Sequence, residues 1–181
     1  MSREQFHREK MKRLVHYICW KCENPSILGS TKLNKVLWFS DVLAYLNWGR
    51  SITGETYIKR QFGPVPKHIL PILDELRDEQ AIVIRDSAYY GNPKRDFIAL
   101  SKPDLGEFSP DEISLIDSTI ERVCRRHTAK SISEITHDDI WKMAALGEEI
   151  PVSAMFSCRV GEVTPEDLSW AQQELKDRAA R

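Results

Sequence analysis

Apolar residues recur at three- and four-residue spacing through the first segment, as Met11, Leu14, Val15, Ile18 and Cys22. Arg3, Glu4, Arg8, Lys10, Lys12 and Arg13 occupy the other face, so the pattern predicts an amphipathic helix over residues 4–22. Asn24 and Pro25 stop it. A second helix opens near Ser30 or Thr31 as N-cap, carries Leu33, Val36, Leu37, Val42, Leu43 and Leu46, and closes at Gly49. Trp38, Phe39, Tyr45 and Trp48 widen its apolar surface beyond one stripe, which marks it as the central helix.

The next segment, TYIKR, is short and rich in β-formers. Phe62-Gly63-Pro64-Val65-Pro66 follows it, and its prolines remove donors and restrict their predecessors, so a strand and then a rigid turn are expected. Ile69, Ile72, Leu73 and Leu76 mark a third helix with Pro66 or Pro71 in its first turn. AIVIRD alternates as a strand, Tyr90-Gly91-Asn92-Pro93 turns, and RDFIAL returns, which is a β-hairpin.

Start signals then come in series. Ser109-Pro110-Asp111-Glu112 is a capping box ahead of Ile113, Ile116, Ile120 and Val123. Ser131 and Glu134 open a short helix, and Thr136 or Asp138 starts another, which runs through Trp141 to a Gly147 stop. Thr164-Pro165-Glu166-Asp167 starts the last, at about 165–179. The fold class expected is mainly α with a small β component. Its order is winged-helix-like (helix, helix, short strand, helix, β-hairpin), followed by a C-terminal helical bundle.

Composition narrows this to one unit. At 181 residues and 41% hydrophobic content the chain supports a single domain over 1–181, with a core at about 10–155. A formal net charge of -1 lacks the basic excess of non-specific nucleic-acid binding. No apolar run approaches the roughly 18 residues of a membrane span, and the N-terminus carries no hydrophobic signal core, so a cytoplasmic location is expected. Cys19 and Cys22 form a CxxC without a second half, and Cys124 and Cys158 stand alone. Buried thiols on helix faces are therefore expected, with no metal site.

Catalytic groupings are weak. His137-Asp138-Asp139 sets two carboxylates beside an imidazole, but a helix start favours the same residues as caps, and His16 reads as a core or boundary histidine. His7, His68 and His127 lie among charges and are expected to be exposed. No phosphate-binding glycine loop is present, so no cofactor is expected and the chain reads as a binding protein rather than an enzyme. For DNA the third helix would be the reader, yet Lys67 and Arg77 are outnumbered there by Asp74, Glu75, Asp78 and Glu79, so nucleic acid is not the expected partner. Arg85, Lys94 and Arg95 on the hairpin are read as a mixed-charge solvated surface.

The rigid loop points towards protein partners. Tyr57, Phe62, Pro64, Val65 and Pro66, flanked by Lys59, Arg60 and Gln61, form a preformed aromatic and proline surface with a cationic edge, or else pin the loop onto the neighbouring helices. Lys59, Arg60, Phe62, Pro64 and Val65 are the candidate partner-binding residues.

KLNKVLWFSD, GRSITGETYIKRQFGPVP, and Leu73 with Leu76 ahead of the hairpin strongly resemble the Panacea domain, the family of SocA-like antitoxins and phage-associated GepA-like proteins. Ser133-Glu134-Ile135-Thr136-His137, Trp141 and GEEIP resemble its downstream signature, so the likeness spans most of 10–155. The resemblance implies a non-enzymatic antitoxin of a bacterial or phage toxin–antitoxin system that neutralises its cognate toxin by direct binding. An ATP-dependent protease is a second implied partner, since SocA-like members also act as adaptors. Gly54, Tyr57, Gly63, Pro66, His137 and Trp141 are expected to serve the motif structurally. A small winged-helix transcriptional regulator is the alternative reading, and an enzyme built around His137 is the third.

Overall fold

The computed structural model describes residues 5–159. The helix expected over 165–179 and the side chain of Cys158 lie outside the described residues. Helix α1 spans Arg8–Lys21, a 3-10 turn Pro25–Ile27, and α2 Gly29–Trp48. Strands β1 (Tyr57–Arg60) and β2 (Gly63–Pro66) precede α3 (Ile69–Asp78), and β3 (Ile82–Tyr89) and β4 (Asn92–Ala99) form the hairpin. Helix α4 (Pro110–Ile120) runs into a π-helical turn, Glu121–Arg125. Then come α5 (Ala129–Ile135), α6 (Asp139–Met143), β5 (Glu149–Ile150) and a 3-10 turn, Val152–Arg159.

Helix α2 is central, as its all-round apolar surface predicts, and packs against α1, α4, α5, β2 and β4. The buried face of α1 is Met11, Leu14, Val15 and Ile18. Its polar face is clamped by ion pairs: Arg8 with Glu75 on α3, Lys12 with Glu79 (2.9 Å) at the α3 C-cap, and Lys10 with Glu112 (2.8 Å) and Lys21 with Asp117 (2.8 Å) on α4. Burying Met11, Leu14, Val15 and Ile18 stabilises this packing by roughly 1.5–3 kcal/mol for each side chain, so the ion pairs orient α1 more than they hold it.

Several boundaries differ from expectation for identifiable reasons. Asn24 accepts from Ser26 N at 2.9 Å and caps the 3-10 turn, which leads directly into α2 at Gly29, so neither Ser30 nor Thr31 is the cap. The stretch 63–66, expected as an irregular turn, is a strand. It pairs Tyr57 with Pro66 and Lys59 with Pro64, and it lies at the edge of a sheet ordered β2-β1-β5, where a proline's missing donor leaves no interior ladder bond unmade. Pro71, not Pro66, stands in the first turn of α3. Thr128 caps α5 and Ser131 completes its capping box at N3, so Ser131 does not open the helix. Helix α6 ends at Ala144, before Gly147.

The hairpin turns on Tyr90 and Gly91, with φ of 49° and 77°, the left-handed pair that matches strand twist. The composition, mainly helical with small antiparallel sheets, is as expected. The pairing does not establish a winged helix, since β1 joins β2 and β5 while β3 and β4 pair with each other. Cys124 is not alone: its Sγ lies 3.6 Å from Cys22 Sγ, in the buried seam where the end of α1 meets the π turn.

Candidate functional site

One carboxylate organises the loop that precedes β1. Asp41, fully buried on α2, accepts from Ile52 N (2.9 Å), Thr53 N (3.0 Å), Thr53 Oγ1 (2.5 Å) and Tyr57 Oη (2.7 Å). Burial pushes its carboxyl up to about 6 against the pull of those donors, so it remains an ionised acceptor at neutral pH. Trp38 meets the Tyr57 ring edge-on at 4.9 Å and completes the anchorage. Glu55 accepts from Thr56 N (2.6 Å) and from His68 N (3.2 Å), and bonds His68 Nδ1 (2.9 Å). The start of β1 is thereby fastened to α3. His68, expected to stand exposed, is held between this carboxylate and the Phe6 ring, 4.5 Å away.

The far end of β1 forms a corner with the 137–149 segment. Lys59 Nζ donates to Ala144 O (2.8 Å) and stands 4.1 Å from the centroid of the Trp141 ring. Trp141 Nε1 donates to Arg60 O (3.1 Å), and the His137 ring stacks on Trp141 at 3.8 Å. Backbone bonds from Lys59 N to Glu148 O (2.8 Å) and from Gly147 N to Lys59 O (2.9 Å) close the corner. Asp138 caps α6 by accepting from Trp141 N (2.9 Å), and Asp139 pairs with Lys142 (3.1 Å), so both carboxylates beside His137 serve the helix start.

Beneath the corner lies a buried lysine. Lys35 of α2 is 1% exposed, and its Nζ has no hydrogen-bond partner among the described residues. Burial lowers it to about 7, with Asp138 pulling the other way. Gly63, with φ of 105°, lies over it, and a Cβ there would overlap the Lys35 ammonium and sit 2.5 Å from Thr136 Oγ1. His137 Nε2 is likewise buried without a partner. Burial lowers the His137 imidazole and the neighbouring Lys35 charge lowers it further, while the Gln61 backbone pulls the other way. Lys35 went unremarked as a site residue in the sequence. The signal available was a lysine inside a helix apolar on every side, which has to bury some of its polar residues.

Around the lysine the corner exposes several apolar side chains. Phe62 is 59% exposed at the β1–β2 turn, Met143 87% and Leu146 72% on the segment docked against β1, and Ile135 51% at the end of α5. Of the candidate partner-binding residues, Arg60 and Phe62 face solvent and Val65 is half-buried. Pro64 is buried, and the Lys59 ammonium is turned onto Trp141 and the Ala144 carbonyl. Gly54 lies against the backbone of Gln5 and Phe6, Gly63 over Lys35, and Tyr57 and Pro66 are buried. The corner presents exposed aromatic and aliphatic groups beside Arg60 and Lys142, carried on a bonded frame.

The other end of the expected surface carries committed charge. Arg77 pairs with Asp74 (2.8 Å) and Asp78 (3.0 Å), Lys67 pairs with Glu149 (3.1 Å), and Glu75 of α3 and Glu79 at its C-cap are held by α1. His16 is buried with its Nε2 on Ser101 O at 3.0 Å, the core histidine the sequence suggested. Among the described residues no helix is long and apolar enough to cross a membrane.

No curated protein and no solved structure matches this chain. A family match does exist: residues 33–142 fit the family described as Antitoxin SocA-like, Panacea domain. That stretch takes in more than half of the chain and holds Lys35, Asp41, the β1–β2 strand pair and the His137–Trp141 stack. The chain therefore belongs to the SocA-like antitoxin family with a Panacea domain.

Proposed function

We propose that the chain neutralises a toxin protein by direct binding, and that the toxin docks on the corner formed by the β1–β2 turn and the 135–149 segment. Family membership is the observation that carries the reading, and it also supports a non-enzymatic role. The location is supported by Phe62, Ile135, Met143 and Leu146, exposed on elements that meet there. Burying such groups against a partner is favourable at roughly 25 cal/mol per Å2 of apolar surface. Because Lys59, Trp141 and Gly147 already brace the turn, little is left to order on docking.

Delivery of the bound toxin to an ATP-dependent protease uses the same complex. Growth rescue in a host lacking such proteases separates occlusion from delivery. A winged-helix DNA regulator is not favoured, because the single cation of α3, Arg77, is paired within the fold and the helix's carboxylates would face phosphates. The test is co-expression with the product of each adjacent open reading frame, followed by purification. One product should arrest growth alone, be tolerated with this chain, and co-purify with it. Rescue without a complex, or promoter binding without rescue, would reject the reading.

A further inference from the structure

We propose that Lys35 and His137, beneath Gly63, form a carboxylate-binding site that takes either an acidic side chain of the docked partner or a free organic acid. Two nitrogen-bearing side chains converge there from different elements, and Lys35 Nζ and His137 Nε2 are both buried without a hydrogen-bond partner among the described residues. A native fold rarely leaves such groups unmatched, and leaving each so costs roughly 1–3 kcal/mol. A carboxylate supplies acceptors for both, and its negative charge would offset the Lys35 charge that disfavours protonation of His137.

The groups facing the site come from each element around it. Lys59 of β1 is held over Trp141, Glu134 of α5 is exposed, and Asp138 is engaged at the start of α6. Thr136 Oγ1 already donates to Ser133 O at 2.9 Å. The Gln61 backbone acts on the His137 ring, and none of these groups supplies an anionic acceptor to both nitrogens. Gly63 of the β1–β2 turn lies directly over the Lys35 ammonium, and Phe62 beside it stands exposed for a partner to grasp. Binding draws protons onto Lys35 and His137, so it is read directly from their titration.

The partner arm rests on the antitoxin reading, whereas the free-acid arm does not. The full chain, isotope-labelled at lysine and histidine, is titrated by NMR in sodium chloride, in sodium acetate at equal ionic strength, and in the purified toxin complex. Acetate that saturably raises the midpoints of Lys35 and His137 by about one pH unit or more supports a free carboxylate. The rise should vanish in Lys35→Met and persist in the exposed control Lys130→Met. If acetate acts like chloride but both midpoints rise in the complex, the partner supplies the carboxylate. If neither changes them, or if Lys35 titrates as an ordinary lysine in chloride, the site is overturned while a purified complex leaves the antitoxin reading standing. If no complex forms with any adjacent product, the antitoxin reading falls and the acetate arm alone decides the site.

Discussion

Lys35 and Asp41 sit six positions apart on one buried helix, and they meet burial in opposite ways. Asp41 is surrounded by donors, so truncation leaves Ile52 N, Thr53 N and Tyr57 Oη without their acceptor. Asp41→Ala is expected to destabilise the fold by about 3 kcal/mol or more, measured by urea unfolding. Lys35 has no such support, and burial lowers it from 10.5 to about 7. The folded chain then binds this proton less readily than the unfolded chain, so the stability tied to Lys35 is complete above 10.5 and is lost as pH falls through 7. Lys35→Met should therefore raise stability at and below neutral pH by on the order of 3 kcal/mol, and the gap should close at strongly alkaline pH. A gap of constant size across that range would contradict the assignment.

At the scale of elements, the helices with clear periodicity or a capping box were legible from the chain, and those set by tertiary contact were not. Ser109 and Glu112 announce α4, and both halves of that capping box form, at 3.1 and 2.9 Å. The strand at 63–66 was hidden because its prolines speak against a ladder, and only its place at the sheet edge makes them tolerable. The Asp138 cap was one of two candidates in the sequence. It holds α6 so that Trp141 can reach Arg60 O and Lys59. Asp138→Ala is expected to cost about 1 kcal/mol and to quench the order of the corner, seen as faster exchange of the Trp141 indole proton. Unchanged exchange would show that the corner does not depend on the cap.

Across the whole molecule, the family was legible because its motif is carried by local runs, and the match over residues 33–142 agrees with that likeness. The buried face of the site was not legible. Lys35, Gly63 and Thr136 are far apart in the chain, and no local pattern says that they meet. Nor did the chain reveal that Met143 and Leu146 share a corner with Phe62, because their approach runs through backbone bonds from Lys59 to Glu148 and from Gly147 to Lys59. Replacing Phe62 with Asp and Arg60 with Glu alters only exposed side chains, so stability should change by no more than about 0.5 kcal/mol. Toxin affinity, measured by calorimetry, should fall at least about tenfold. Equal loss of stability and affinity would point to a folding defect instead.

Hydrogen–deuterium exchange of the chain alone and in its toxin complex addresses the docking assignment most directly. Slower exchange on binding is predicted over residues 57–66 and 135–149, where the exposed corner lies. Protection confined to α3 and the hairpin, with the corner unchanged, would contradict the account.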